Sequence, residues 1–245
     1  MDSYIGFAQM YDELMSNVPY EKWGNYINDK LRERLPNIKN PLVVDLACGT
    51  GTITLFLANM GFDMIGVDIS ENMLAEAQRK SYEAGRNILF LAQDIRRLDL
   101  FGTVDAMVSV CDGINYILDP DDLCTVFKRV RLFLNPMGVF IFDMNTEYKF
   151  KQLLGQRSFE AQAESGAAYE WDNNYDEKTK INEYRVQFYT NDDSFTEIHK
   201  QRAFDTKDII KKLSDAGFSK ISAYHNYTDE PFRPDSPRIT YIAEV

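Results

Sequence analysis

Short apolar runs alternate with amphipathic stretches through the first two thirds of the 245-residue chain. The apolar runs suit buried parallel strands, whereas the stretches between them space their apolar residues three or four positions apart, as helices do. This alternation predicts an α/β fold with a doubly wound parallel sheet. The predicted strands are residues 41–46, 64–67, 88–92, 104–111 and 139–142.

The alternation ends at residue 146. Residues 168–172, 180–190 and 194–204 instead alternate apolar with polar positions and are separated by turn signals, which predicts an inserted antiparallel β-meander. A helix from 205 and strands at 218–227 and 239–245 complete the chain. We therefore predict a main domain of residues 1–145 and 205–245, with a helical N-terminal arm at 1–37, and an inserted β-rich subdomain at 146–204.

The chain carries 27 basic and 38 acidic residues, a net charge of −11. Nucleic-acid binding is disfavoured because a polyanion needs clustered Lys and Arg. No apolar run is long enough to span a bilayer, and the N-terminus lacks the features of a signal peptide. Three cysteines cannot all pair with one another, so we expect a reduced, cytoplasmic setting.

Polar residues follow the predicted strands at the edge where α/β proteins bind ligands. A glycine turn begins at Asp45, whose carboxylate would repel a pyrophosphate and suits an ammonium group. Asp68 is placed to bind ribose hydroxyls, Asp94 to accept from an adenine amine, and Met73 to cover the adenine. Each residue alone is equally explained as a helix cap or core residue. Together they describe S-adenosylmethionine, an adenosine that carries an amino acid and no phosphate.

Five ordered segments resemble class I S-adenosylmethionine-dependent methyltransferases. VVDLACGTG at 43–51 resembles their first motif and GVDISENML at 66–74 their second, and the resemblance continues through 93–95, 105–108 and 134–143. Residues 4–12, with Tyr20 and Trp23, resemble the N-terminal arm of bacterial small-molecule members such as amino-sugar and glycine/sarcosine N-methyltransferases. The resemblance implies strand order 3-2-1-4-5-7-6 with the last strand antiparallel. Met137 departs from it, since the family has glycine there.

The resemblance also implies a cofactor site. The turn at Ala47 would hold the methionine moiety, with Asp45 near its amine, and Asp68 and Asp94 would hold ribose and adenine. Cys48 lies in this loop at the N-terminus of the following helix, where the pKa of its thiol is expected to fall. Tyr11 and Trp23 are expected over the methionine end, although packing on the core explains them as well. The full predicted set is Tyr11, Trp23, Asp45, Ala47, Cys48, Gly49, Gly51, Asp68, Ile69, Met73, Asp94, Ile95 and Cys111.

Further polar residues follow the fourth and fifth strands, where a methyl acceptor should lie. An amine acceptor needs no obligatory catalytic residue, whereas an oxygen acceptor usually needs a base. We predict a catalytic group of Asp112, Asn115, Tyr116 and Asn145, with Asp143 as a further candidate; capping of turns is the alternative for the carboxylates. His199 and His225 are isolated in sequence, so we expect surface or core histidines and no metal site.

The sequence therefore predicts a cytoplasmic methyltransferase that moves a methyl group from S-adenosylmethionine to a nitrogen or oxygen of a small molecule. The meander is predicted to form a lid, in which Tyr169, Trp171, Tyr175, Tyr184 and Tyr189 either line the acceptor pocket or pack on one another. An RNA or protein methyltransferase of the same fold is the first alternative. A NAD-dependent dehydrogenase, disfavoured by Asp45 and Thr54, or a non-catalytic nucleotide-binding module is the second. The acceptor's identity and the choice between monomer and dimer stay open.

Overall fold

The computed structural model describes residues 11–12, 15–162, 168–189 and 194–245 of the chain. Most of the segment that resembles the N-terminal arm, residues 4–10, lies outside the described residues. The helices are α1 (Tyr20–Arg34), α2 (Thr52–Asn59), α3 (Glu71–Glu83), α4 (Pro120–Phe133) and α5 (Thr206–Asp215). Short 3-10 helices at Ile95–Arg97 and Gly113–Tyr116 and a π-helical turn at Lys149–Leu154 connect larger elements.

The strands form two separate sheets. Those of the larger sheet are β1 (Leu42–Leu46), β2 (Asp63–Asp68), β3 (Leu89–Ala92), β4 (Val104–Ser109), β5 (Leu134–Asn145), β10 (Lys220–His225) and β11 (Arg238–Glu244). Those of the smaller sheet, here called the meander, are β6 (Ser158–Gln162), β7 (Ala168–Asp176), β8 (Ile181–Tyr189) and β9 (Ser194–Arg202).

The larger sheet has the order β3-β2-β1-β4-β5-β11-β10. β11 runs antiparallel to both of its neighbours, while β1 pairs in parallel with β2 and with β4. This confirms the predicted order 3-2-1-4-5-7-6 with an antiparallel last strand. The order reverses between β1 and β4, so a crevice opens at their carboxyl ends.

Helices cover both faces of the larger sheet. On one face α4 and α5 pack Phe127 and Leu213 against the strands, and on the other α1 and α2 contribute Ile27 and Leu57. All four side chains are completely buried. Because both faces are covered, the strands are apolar along their length, which explains why continuous apolar runs marked them in the sequence.

The structure also shows the helix caps and the turn residue that the sequence indicated. Ser70 caps α3 by accepting a hydrogen bond from Met73 N at 3.4 Å, and Asp119 caps α4 by accepting from Asp121 N at 2.7 Å. Met137 has a φ of 67°, a left-handed conformation that favours glycine. Its side chain is 79% exposed, so the departure from the family pattern lies on the surface, where a long side chain has room.

The meander is an up-and-down sheet in which each strand pairs with the next. The sequence predicted β7, β8 and β9 but neither β6 nor the π-helical turn before it. β6 is a five-residue edge strand, too short to give a clear alternation. A small buried cluster of Phe150, Tyr175 and Ala203 lies beneath the meander, between the π-helical turn and the strands.

Candidate functional site

The turn after β1 presents bare backbone to the crevice. Ala47, Gly49 and Gly51 have φ values of 56°, 55° and 73°, so the chain passes through three left-handed residues within five positions. A Cβ added at Gly49 would meet no atom within 4 Å, whereas one at Gly51 would lie 2.9 Å from Ala77 Cβ. Gly49 therefore faces open space, and Gly51 instead lets α3 approach the turn.

Two carboxylates lie under this turn. Asp45 is 2% exposed and accepts a hydrogen bond from Thr54 Oγ1 at 2.6 Å; burial raises its pKa to about 7. Asp68 accepts from Gly49 N at 2.8 Å and from Ser70 N at 2.9 Å, and burial raises its pKa as well. Neither makes an ion pair with a residue that the structure describes. Since a buried carboxylate needs a counter-charge, the pair favours a cationic ligand.

Asp94 follows β3 and lies beside the same crevice. Both oxygens of its carboxylate accept hydrogen bonds from Arg96 Nε, at 2.9 and 3.0 Å. These hydrogen bonds lower the pKa of Asp94. Ile69 directly follows β2 and is 70% exposed, and Met73 lies in the first turn of α3. An ionised carboxylate and two apolar side chains thus line the same cavity.

A single cavity of about 1000 Å³ extends from these strand ends to the inner face of the meander. We call its two parts the loop end, next to the turn after β1, and the meander end, next to β7, β8 and β9. The loop end is lined by Asp45, Ala47, Cys48, Gly49, Asp68, Ile69, Met73, Asp94 and Ile95. The meander end is lined by Tyr116, Tyr169, Trp171, Tyr184, Val186, Phe188, Glu197, His199 and Gln201.

The alternation of the meander strands decides which side chains face the cavity. Positions 184, 186 and 188 of β8 line it, as do 197, 199 and 201 of β9. Of the five aromatic residues singled out in the sequence, Tyr169, Trp171 and Tyr184 line the cavity. Tyr175 packs on Phe150 instead, and Tyr189 is exposed with its hydroxyl on Glu170.

An ion-pair network forms part of the cavity wall. Asp112 accepts from Arg238 Nη2 at 2.6 Å and from Gln201 Nε2 at 2.5 Å, so it joins β11 to the meander. Arg238 also pairs with Asp143, which is completely buried and accepts from Tyr227 Oη at 2.6 Å. Asp143 therefore does not reach the cavity and acts as a partner of Arg238. Asp112 lines the cavity but has both oxygens engaged.

The predicted catalytic group is split by the 3-10 helix that follows β4. Asp112, Tyr116 and Asn145 line the cavity, but Asn115 is completely buried and does not. Its side chain donates to Asn145 O at 3.0 Å and to Arg202 O at 2.8 Å, and accepts from Asn145 N at 2.8 Å. A catalytic role does not fit this placement; Asn115 joins the two ends of the inserted segment.

Cys111 and Asp112 are consecutive left-handed residues, with φ values of 63° and 57°. Such strain persists where surrounding contacts impose it and is frequent at binding sites. Cys111 lines the cavity, and burial together with the charge of Asp112 raises the pKa of its thiol to about 11.

The thiol of Cys48 was expected to have a lowered pKa. Burial and the charges of Asp45 and Asp68 raise that pKa instead, because they outweigh the effect of the helix N-terminus.

The part of the N-terminal arm that the structure describes contacts the loop end. Asp12 accepts from Thr50 Oγ1 at 2.5 Å and forms an ion pair with Lys80, so it ties the arm to the turn and to α3. Tyr11 and Trp23 both line the cavity. Trp23 also stacks on Tyr227, with ring centroids 4.9 Å apart, so it belongs to the core and to the cavity wall at once.

His199 is a residue whose position the sequence did not predict. It lines the cavity, where Nδ1 lies 3.3 Å from the Tyr116 hydroxyl and Nε2 lies 3.0 Å from Glu197 Oε2. Its ring stacks on Tyr184 at 5.3 Å. The signal was the two-residue period of β9, which puts Glu197 and His199 on one face, but the sequence did not show which face turns inward.

The loop end fits S-adenosylmethionine. The bare backbone at Gly49 leaves space for the methionine chain, the uncompensated Asp45 suits a cationic group, and Asp68 retains lone pairs for ribose hydroxyls. Within the described residues, no group of three His, Cys, Asp or Glu side chains is arranged to hold a metal ion. Nor does any helix in that part of the chain combine the length and apolarity needed to cross a membrane.

Comparison with known proteins points to the same ligand. Residues 43–138 match the family described as "Methyltransferase domain". YqeM of Bacillus subtilis (strain 168), itself only provisionally named as a methyltransferase, is 35% identical over 98% of this chain and 96% of its own length. The crystal structure of an S-adenosylmethionine-dependent methyltransferase from Clostridium acetobutylicum ATCC 824 superposes with a TM-score of 0.88 and 32% identity, covering 100% of this chain and 99% of that one.

A more distant structure shares the fold. The sugar N-methyltransferase KedS8 from Streptoalloteichus sp ATCC 53650 has a TM-score of 0.79 at 18% identity and covers 94% of this chain and 89% of its own. The 35% identity to YqeM extends over nearly the whole length of both chains. It agrees with the family match over the strand-end motifs and with the similarity to the clostridial enzyme. The chain belongs to the class I S-adenosylmethionine-dependent methyltransferases, and S-adenosylmethionine is its cofactor.

Proposed function

We propose that the protein transfers the methyl group of S-adenosylmethionine to a nitrogen or oxygen of a small molecule bound at the meander end of the cavity. The observation that carries the proposal is the cavity itself. Ligand pockets commonly measure about 300–1,000 Å³, so a cavity of about 1000 Å³ has room for the cofactor and for an acceptor of similar size. The meander, which supplies the far wall, acts as a lid.

We infer the cofactor contacts from the residues that line the loop end. Ala47, Cys48 and Gly49 hold the methionine moiety, and the Asp45 carboxylate binds its ammonium group. The ribose hydroxyls donate to Asp68. Bound in this way, the cofactor supplies an activated methyl group, so the protein has to align the acceptor and exclude water. The aromatic walls of the meander end serve both purposes.

The charges of the cavity favour a small amine over a nucleic acid. Of its basic lining residues, Arg96 is paired with Asp94 and Asp122, Arg238 is paired with Asp112, and Lys149 donates to Asn145 Oδ1 at 2.8 Å. The acidic side chains outnumber them, so the cavity attracts cations. An RNA substrate would need unpaired Lys and Arg around the opening. KedS8 has the same fold and is described as a sugar N-methyltransferase, which supports a nitrogen acceptor.

Cofactor binding is the first experiment. Calorimetry with S-adenosylmethionine and S-adenosylhomocysteine should show binding by the wild type and a loss of about 100-fold or more for Asp68→Ala, because hydrogen bonds to a charged group contribute about 1.5–3 kcal/mol each. Asp63→Ala is the matched control, since Asp63 lies exposed at the other end of β2. No binding by the wild type, or equal affinity of both variants, would contradict the proposed site.

Acceptor identity needs a second experiment. A homocysteine-release assay with tyramine, benzylamine, glucosamine, glycine and sarcosine samples aromatic, sugar and amino-acid amines. We expect turnover of at least one and a loss of that turnover in Trp171→Ala, which removes a cavity wall and leaves the loop end intact. Methylation of a bulk RNA or protein fraction, with none of the amines, would instead favour the alternative methyltransferase function.

A further inference from the structure

Three side chains at the meander end form a continuous line of hydrogen bonds. The Tyr116 hydroxyl lies 3.3 Å from His199 Nδ1, and His199 Nε2 lies 3.0 Å from Glu197 Oε2. All three line the cavity, Tyr116 from the 3-10 helix after β4 and the other two from β9. We propose that Tyr116, His199 and Glu197 are a proton relay that takes the proton from the methyl acceptor, an inference that rests on the proposed function.

The hydrogen-bond partners define which atoms carry protons. An ionised carboxylate only accepts, so Glu197 requires a proton on His199 Nε2, and neutral His199 then offers a lone pair on Nδ1. Nδ1 accepts from the Tyr116 hydroxyl. The Tyr116 oxygen also lies 2.9 Å from the Tyr184 hydroxyl, which can donate to it. Tyr116 keeps 44% of its surface accessible, on the cavity side, so its oxygen is within reach of a bound acceptor.

The surroundings favour a relay over a single base. Asp112 has both carboxylate oxygens engaged by Arg238 and Gln201, so it is not placed to take a proton from the acceptor. Desolvation of its hydroxyl by the cavity walls and the charge of Asp112 raise the pKa of Tyr116, so a free tyrosinate is disfavoured. Tyr116 can therefore accept a proton only if it passes its own to His199 at the same time.

The proton of the attacking nitrogen or oxygen passes to the Tyr116 oxygen, and the Tyr116 proton passes to His199 Nδ1. The electron pair left on the acceptor forms the new bond to the methyl carbon, while the pair of the breaking carbon–sulfur bond stays on sulfur and gives S-adenosylhomocysteine. The resulting imidazolium is stabilised by Glu197 until it releases the proton to water with the product.

The same hydrogen bonds also hold the meander against the 3-10 helix, so a purely structural role has to be separated from proton transfer. The pH dependence of turnover separates the two, because only a relay requires neutral His199. Among the described residues, the titratable groups seen to face His199 include Glu197 on its own strand, Tyr184 on β8, Tyr116 on the 3-10 helix and, behind Tyr116, Asp112. Asp45 ionises near pH 7 in the same cavity, so the part of the pH dependence that belongs to His199 is the part that His199→Gln removes.

The kinetic test uses any amine of the panel that is turned over. For the wild type we expect kcat to rise with pH and then to level off, because only neutral His199 accepts the proton. His199→Gln and Tyr116→Phe should lower kcat about 10²–10⁴-fold with unchanged cofactor binding, and His199→Gln should remove the pH dependence. Glu183→Gln, on the opposite face of β8, is the control and should behave like the wild type. A raised KM with unchanged kcat and the pH dependence preserved would overturn the relay.

A spectroscopic test needs no acceptor. The chain has two histidines, so ¹⁵N-histidine spectra contain two rings, and His225→Gln assigns them. We expect neutral His199 as the Nε2–H tautomer, with ¹⁵N chemical shifts that change in Glu197→Gln. An Nδ1–H tautomer, or spectra that Glu197→Gln leaves unchanged, would overturn the relay even if methyl transfer is found. Absence of turnover by the wild type on every amine, with the expected tautomer present, would instead overturn the proposed function.

Discussion

The loop end and the meander end of the cavity are built in different ways. At the loop end the shape comes from backbone: three left-handed residues in one turn, with Asp45 and Asp68 held by hydrogen bonds to neighbours within the same β-α-β unit. At the meander end it comes from side chains on three strands, which reach the acceptor space only because a second sheet packs over the first. The loop end thus suits a ligand common to a whole family, and the meander end one that differs between its members.

Arg238 lies where the two ends meet, and its removal should have the largest effect. Arg238→Met leaves the completely buried Asp143 without its cation and should lower the free energy of unfolding by about 3–5 kcal/mol. Urea unfolding measures the change. Arg233→Met, which breaks only exposed ion pairs, is the control and should stay within about 1 kcal/mol of the wild type. If Asp143→Asn in the Arg238→Met background restores nothing, the buried charge is not the cause.

Asp45 allows a test confined to the loop end. Its pKa of about 7 lies above the value of 3.8 of an unperturbed Asp, so the folded protein keeps this proton until the pH reaches about 7. A cationic ligand binds the ionised form, and its affinity should therefore rise with pH, about tenfold per unit between about pH 5.5 and 7. By the same linkage, the free energy of unfolding of the ligand-free protein should fall over about pH 4–7.

Calorimetric titration with S-adenosylmethionine at several pH values measures this dependence. Asp45→Asn should bind with an affinity that changes much less with pH, and Asp63→Asn, exposed at the beginning of β2, should keep the wild-type dependence. If the affinity of Asp45→Asn also keeps the wild-type pH dependence, the titrating group is Asp68. Burial raises the pKa of Asp68 as well.

The smallest expected effect concerns the arm. Asp12→Asn removes the ion pair with Lys80 and weakens the hydrogen bond with Thr50 Oγ1, so S-adenosylmethionine should bind about two- to fivefold more weakly, as expected for a partly exposed pair. The Kd from calorimetry checks this, with Asp29→Asn on the exposed side of α1 as the control. An unchanged Kd would mean that the arm does not support the loop end.

Sequence reasoning succeeded where the determinants are local. The strand order and the loop end follow from glycines, carboxylates and apolar runs within short segments, and the structure places Asp45, Asp68 and Asp94 as predicted around one crevice. The predicted roles of these residues toward the cofactor stay predictions. Ser70 and Asp119 cap their helices as predicted. A cap could be predicted because it depends on only three or four consecutive residues.

The meander end could not be predicted because its contacts join distant parts of the chain. Tyr116 and His199 are 83 positions apart, and Asp112 and Arg238 are 126 apart. Which face of β9 turns inward depends on how the meander packs, and the two-residue period alone leaves both faces open. The same limit explains Asn115: the 3-10 helix turns it toward the core and its neighbour Tyr116 toward the cavity, a difference that polarity does not reveal.

Asn115 has a consequence for how such enzymes diversify. Its amide group binds the backbone at Asn145, where the chain leaves the larger sheet, and at Arg202, where the chain returns. Asn115 thus holds the two ends of the inserted segment close together. The entropic cost of closing a long loop grows only slowly with the length of the loop. Evolution can therefore lengthen, shorten or exchange the segment between these two points without refolding the rest, and a laboratory graft of a relative's segment at the same two positions should transplant its substrate preference.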